Sequence, residues 1–313
     1  MGGAAYSRGA AGQSIVQFAR TNAAFRAVEG RMKILPFLSI LALTSLSHGV
    51  AQDLAALRQA LTFHGSFDGG LDADFSKGDK ACLIKKGAEK VAFAGNEEAL
   101  IVAGAGRFGG ALHFPKKGTT RPMYAGAGML NYNEQSWNAS VSAWLRLTPD
   151  EDLEPGYCDP IQIVGDDTKK GFIFLEWSKD HTPRFFRYAI RPLIEIWDPN
   201  NLGWEGIPFD KRPMVQVANA PFSREKWTHA VFTLNQVNSK TGKASGQLYL
   251  NGELQGSIEG WDLRFGWDSA QVALVLGAAY VGYLDDLAVF DQALTAEQVQ
   301  LIYQLPNGIK DLR

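Results

Sequence analysis

The side chains that could do chemistry in this sequence are sparse, and their spacing argues against a hydrolase. Glycoside hydrolysis needs two carboxyl groups held roughly 5–9.5 Å apart across the scissile bond. The nearest string is Glu195-Ile-Trp-Asp198, and residues three apart on a strand point to opposite faces. That string also runs into Asp198-Pro199, a turn-forming pair. There is no Gly-x-Ser-x-Gly elbow, no Gly-x-x-x-x-Gly-Lys phosphate loop and no His-Glu-x-x-His pair. His64, His113, His181 and His229 stand singly. The expectation is a protein that is not an enzyme.

Tryptophan is the residue type here best suited to holding a ligand, because an indole offers a large rigid face with one polar atom. Trp177, Trp197, Trp204, Trp261 and Trp267 fall in or near expected loops. Trp197 and Trp204 are the leading ligand-binding candidates, with Trp177 and Trp261 behind them; the bland alternative for each is packing. Only two cysteines are present, Cys82 and Cys158. That excludes a disulfide scaffold and a Cys-rich zinc site. Asn138-Ala139-Ser140 fits an N-glycosylation acceptor. The acidic run over 150–154 lacks calcium-loop spacing and reads as a solvated loop.

These residues sit on a chain of mostly short strands. Apolar residues make up 46% and charged residues 20%, so a packed core is affordable. Strand patterns run over 60–67, 91–94, 100–103, 109–114, 140–147, 160–164, 172–177, 185–190, 227–234, 247–250, 253–258, 272–277 and 282–290. Asn251-Gly252 between two of them is a strong hairpin signal, since both central residues of a type I′ turn need positive φ. Helix is confined to a short lead-in, Asp53–Leu61 with Asp53 as N-cap, and a short segment opened by the capping box Thr295–Gln298. This pattern predicts an all-β, two-sheet antiparallel sandwich with a short helix at each end.

The first 51 residues read as addressing. Lys33 and the apolar run 34–46, with a small residue at Ala51, form a secretory signal over 32–51. Residues 1–31 read as an upstream extension before a true start at Met32, with an Arg-rich targeting segment as the other reading. The run is too short for a comfortable membrane span of roughly 20 residues. Cleavage would leave residues 52–313 with a net charge of −6. Neither that nor the full chain's −2 offers the basic footprint nucleic acid requires. Export would permit a Cys82–Cys158 disulfide; two buried free thiols are the alternative, and the sequence leaves both open.

Six elements, in order over residues 60–305, resemble the laminin-G-like, concanavalin-A-like lectin/glucanase jelly rolls. They are Phe63-His-Gly-Ser-Phe67-Asp68-Gly69; Gly106-Arg-Phe-Gly109-Gly-Ala111-Leu112-His-Phe114; Ser142-Ala143-Trp144; Trp227-Thr-His229; Leu248-Tyr-Leu-Asn251-Gly252; and Gly282-Tyr-Leu-Asp285-Asp286 through Phe290 to Ala293-Leu294-Thr295. Residues 52–313 would then be one jelly-roll domain, departing from a compact member over about 185–217, where turn-makers and aromatics suggest an insertion or long loops. The resemblance places Trp144 and Trp227 in the core and makes His229 a sheet histidine. It also implies one structural Ca²⁺ held by Asp68 and Asp285, with backbone oxygens near Ser66 and Gly110, clamping the first and last strands. The function it suggests is non-catalytic, lectin-like binding of an extracellular polysaccharide or glycan by a secreted protein. The alternative is an adhesion module that binds a cell-surface protein. Loop tryptophans on a groove would favour the first, and a broad flat apolar patch the second.

Overall fold

The computed structural model describes residues 51–313. The signal and upstream segments expected over 1–51 lie outside these residues, Ala51 excepted. Residues 51–60 are helical (α1), so Asp53 sits inside the helix and not at its N-cap; α2 (Pro149–Asp152) and α3 (Ile194–Trp197) are single turns.

Two antiparallel sheets face each other, as the alternating patterns predict. The first runs β15 (Glu253–Ile258), β14 (Ser245–Leu250), β13 (Thr228–Val237), β8 (Trp137–Arg146), β17 (Gly282–Phe290), β1 (Leu61–Gly65), β2 (Phe75–Ser76). Against β17 also pairs β6 (Ala111–Phe114), which carries β5 (Leu100–Val102). The second runs β12 (Met214–Val217), β11 (Phe186–Arg191), β10 (Phe172–Trp177), β9 (Cys158–Val164), β16 (Ala273–Ala278), β7 (Met123–Ala125), β3 (Leu83–Lys86), β4 (Glu89–Ala92). First and last strands pair, with His64 opposite Ala288. The Asn-Gly hairpin forms as expected: Asn251 and Gly252 both have positive φ, and Leu250 pairs with Glu253.

Between the sheets, alternate side chains interdigitate. Ile173, Leu175 and Trp177 point in from β10, and Phe186, Tyr188 and Ile190 from β11. Phe63, Tyr124, Trp137, Phe232 and Trp267 fill the same core. Each large apolar side chain fully buried contributes roughly 1.5–3 kcal/mol of transfer free energy. The outer face of the first sheet is covered by the chain's ends. Leu57 of α1, Val299 and Ile302 of α4 (Ala296–Tyr303), and Ile309 and Leu312 of the final 3₁₀ turn pack on Val231, Tyr249 and Phe290. The capping box at Thr295 and Gln298 is present, which starts α4 where the sequence places it.

Candidate functional site

The outer face of the second sheet is divided in two, and the division defines the site. Over β10–β12 that face is roofed by residues 192–213. The polar side chains beneath are cross-strand neighbours: Glu176 lies opposite Arg187, which lies opposite Gln216. Arg187 pairs with Glu176 at 3.2 Å and donates Nε to Gln216 at 2.8 Å. Arg191, two turns of the pleat further on, stacks its guanidinium on Trp197 at 4.2 Å and on Trp204 at 5.3 Å. Asp198 closes the loop by accepting the backbone N–H groups of Leu202 and Gly203. Tyr157 and Glu205 bond across the edge of the roof.

Asp159 on β9 and Glu176 on β10 occupy neighbouring strands at the boundary of the covered half, and both are buried. Burial is the main cause that pushes Asp159 up to about 7 and Glu176 up to about 8. Asp159 accepts from Gln162 Nε2 at 2.6 Å, while its Oδ1 has no partner.

The other half of the face is open. A cleft of about 570 Å³ lies over β9, β16, β7 and β3. Its floor is the outward apolar cluster of Met123 and Val275 with Val164, extended by Phe172. Its walls carry Lys85, Thr119, Thr120, Arg121, Gln162, Asp166 and Thr168. The β9–β10 connection that supplies Asp166 and Thr168 is seated on the core: a Cβ on Gly165 would meet the Trp267 indole at 2.2 Å. Asp166 is already committed, bonding Lys170 and accepting the Asp268 N–H at 3.1 Å. An apolar floor with a polar rim suits a ligand having one hydrophobic face and many hydroxyl groups.

The tryptophans named from the sequence distribute differently from expectation. Trp177 is not at the surface: it ends a strand on an inward position and packs against Tyr280, Phe186 and Phe222. Period-2 alternation, Ile173-Leu175-Trp177, puts it there. Trp197 is only 4% exposed, so its face is spent on Arg191 and Trp204. Trp204 is half-buried with its ring edge-on to Phe174 and Trp197. Trp261 lines a surface pocket of about 430 Å³ with Lys240, Asp262 and Arg264. Trp267 is buried and donates Nε1 to Gly171. The cleft residues Arg121, Gln162 and Phe172 escaped sequence reasoning. Their signal was polar or aromatic residues at alternate positions of strands whose other face is apolar.

The residues named for calcium do converge, around the turn 106–110. Asp68 Oδ1 accepts the Gly110 N–H at 2.7 Å, and Asp285 Oδ2 accepts the Phe108 N–H at 3.0 Å. A Cβ on Gly106 would lie 2.1 Å from the Gly110 carbonyl oxygen and 2.7 Å from Asp285 Oδ2. A Cβ on Gly109 would strike Asp68 Oδ1 at 2.1 Å, and its φ of +139° independently favours glycine. Ser66 stands one step back, with Oγ receiving the Asp68 N–H at 3.3 Å. Burial raises Asp285 to about 7. Lys310 Nζ, from the final 3₁₀ turn, reaches Asp68 Oδ2 at 2.5 Å and the Phe108 carbonyl at 3.1 Å. The donors are all oxygens, as a hard cation requires. Among the described residues no three His, Cys, Asp or Glu side chains cluster as a metal site, so an ion here would draw on two carboxylates plus carbonyls.

The Cys82–Cys158 disulfide does not form. Both are buried free thiols. Cys82 precedes β3 and Cys158 opens β9, with β7 and β16 between those strands. At ~4.8 Å per strand that is ~14 Å, beyond disulfide reach.

With this geometry in hand, the comparisons with known proteins are specific about the fold. The sequence model of the concanavalin A-like lectin/glucanases superfamily matches residues 117–300. The chain belongs to that superfamily. No curated protein matches it in sequence. Among solved structures, domain 4 of AbnA, a GH43 extracellular arabinanase from Geobacillus stearothermophilus in complex with arabinotriose, is 18% identical with a TM-score of 0.46. That match covers 78% of this chain and 98% of that one. The receptor binding domain of botulinum neurotoxin C/D mosaic serotype is 13% identical with a TM-score of 0.49, covering 79% of this chain and 51% of that one. The botulinum neurotoxin serotype D ligand binding domain in complex with N-acetylneuraminic acid is 15% identical with a TM-score of 0.45, covering 80% and 52%. The chain thus spans about half the length of the toxin structures. Among the described residues no helix is long and apolar enough to cross a membrane.

Proposed function

We propose that this protein is a secreted, non-catalytic glycan-binding module whose site is the open cleft on the second sheet. The observation that carries this reading is the cleft's make-up: an apolar floor of Met123, Val164, Phe172 and Val275, rimmed by Thr119, Thr120, Arg121, Gln162 and Thr168. Pyranose and furanose rings present an apolar face and a hydroxyl edge, and the cleft offers the complement to both. A broad flat apolar patch would favour a protein partner. Among the described residues the large exposed hydrophobics are few: Leu202, Phe209 and Leu254. The carboxyl pair Asp159 and Glu176 supports a binding role, because both are buried and Glu176 is tied to Arg187. Trp261 and its pocket are the second candidate surface within the same reading.

The test is a panel of polysaccharides and glycans probed with the protein. Saturable binding of one sugar class, competed by its oligosaccharide, is the expected result. A panel blank for folded protein would overturn the reading and turn attention to a protein partner.

We further propose a structural calcium at Asp68 and Asp285, with the Gly110 carbonyl and the backbone near Ser66. Its role would be to tie the turn 106–110 to both ends of the domain. Calcium should raise Tm and EDTA should reverse the rise. A Tm indifferent to both would remove the metal from the account and leave Lys310 as the sole counter-ion of Asp68.

A further inference from the structure

The cleft carries an unbalanced row of positive charge. Lys85 and Lys90 are direct cross-strand partners on β3 and β4. Leu83 pairs with Met123; extending that antiparallel register by two residues sets Arg121 beside Lys85, and both line the cleft. Three cations therefore stand side by side across β4, β3 and the entry to β7. Among the described residues Lys85, Lys90 and Arg121 form no ion pair, although the fold builds a dozen elsewhere. Like charges directly opposite each other on a sheet destabilise it. A lysine on the edge strand β4 guards against edge-to-edge pairing, which accounts for Lys90 but not for Lys85 or Arg121. Of the nearby carboxylates, Asp166 is held by Lys170, which keeps it below the usual carboxylate range, and Glu98 accepts the backbone N–H groups of Thr119 and Thr120. Asp159, behind Gln162, is raised to about 7 by burial against the pull of Arg121, so near neutral pH it offsets only part of the row's charge. The chain as a whole carries a formal −2, so this row is a local feature and not part of a general basic surface.

We propose that the cleft takes an acidic polysaccharide, one whose sugar units bear a carboxylate or sulfate seated on Arg121 and Lys85, with Lys90 meeting the next charged unit. This deepens the glycan-binding reading and rests on it. The guanidinium of Arg121 can grip a planar carboxylate through two parallel N–H bonds. The ring of the same sugar lies over Phe172, Met123 and Val275, and its hydroxyls meet Thr119, Thr120 and Thr168. Lys85 contributes point charge, so its effect is screened by salt more than that of the bidentate Arg121 contact.

The experiment measures binding of the protein to three polymers: polygalacturonate, the same polymer after carboxyl reduction to neutral galactan, and a sulfated galactan. Each is run at low and high salt, with wild type and with Lys85→Gln, Arg121→Gln and the double variant. These positions are exposed, so the variants should fold, and circular dichroism checks that they do. The expected result is binding to a charged polymer that weakens at least about tenfold on carboxyl reduction or in the double variant, the size of one or two charge-assisted hydrogen bonds. Preference for polygalacturonate or for the sulfated polymer tells which anion is seated. Equal binding of charged and neutral polymer, or variants without effect, would overturn this inference and leave glycan binding standing. No binding to these polymers together with a glycan panel positive only for neutral sugars would also overturn it. A blank on both would fail the underlying reading instead.

Discussion

The two halves of one sheet face solve the same problem in opposite ways. Over β10–β12 the outward polar residues are covered by residues 192–213 and meet partners within the protein: Glu176 on Arg187, Arg187 on Gln216, and Arg191 on the faces of Trp197 and Trp204, while Arg191 Nε and the two indole N–H groups make no hydrogen bond. Over β9, β16, β7 and β3 the equivalent positions hold Gln162, Arg121 and Lys85 around an apolar floor with no cover. Polar groups beneath a roof contribute to specifying one packing of the segment, and polar groups without a roof are free for a ligand. The long divergent segment is therefore better understood as a cover for β10–β12 than as part of the cleft, whose lining comes from other segments.

That contrast can be broken most forcefully in the roofed half. Above pH 8, where Glu176 is ionised, Arg187→Met leaves that charge buried without its partner and should cost about 3–5 kcal/mol, read as a shift in the urea midpoint. An unchanged midpoint would mean that the pair is solvated and the roof loose. Trp197→Ala removes the stack on Arg191 and opens a cavity under the segment; a loss of about 3 kcal/mol is expected, again by denaturation. Binding per folded molecule should survive both changes.

The roofed half also predicts a pH dependence. Glu176 is raised from 4.5 to about 8, chiefly by burial, so the folded state favours its neutral form. The stability this contributes is complete below the ordinary glutamate range and is lost as pH rises through about 8. Tm measured across that window should fall with rising pH, and Glu176→Gln should flatten the slope. A wild-type Tm that stays flat across the same window would show Glu176 ionised and held by Arg187.

In the open half the expectation reverses. Arg121→Gln should move stability by no more than about 0.5 kcal/mol, as for an exposed residue without partners, while weakening ligand binding. A large loss of stability there would show that Arg121 has a structural partner.

The sequence made the layered fold readable because period-2 patterns and turn residues report locally. The Asn251-Gly252 hairpin and the Thr295–Gln298 capping box stand where that reading places them, and the first and last strands pair as the family resemblance implies. The strands β3, β7 and β12 were missed. They are short, and β3 ends in Lys85-Lys86, which lowers its apolar signal. The site was less legible for a related reason. A tryptophan's exposure depends on which face of a strand it takes and on what folds back over it, and both are tertiary facts. Trp177 and Trp197 were lost to the core and to the roof on those two counts. The cleft's own residues are ordinary strand residues, brought together only when β3, β7, β9 and β16 align.

The most direct test of the central claim compares cleft and loop on one ligand. Once the glycan panel yields a sugar, its affinity should be measured by calorimetry for wild type, for Arg121→Gln with Phe172→Ala, and for Trp261→Ala. The cleft variant should lose binding while Trp261→Ala keeps it. Full affinity in the folded cleft variant, with loss in Trp261→Ala, would contradict it and move the site to the pocket beside Lys240 and Arg264.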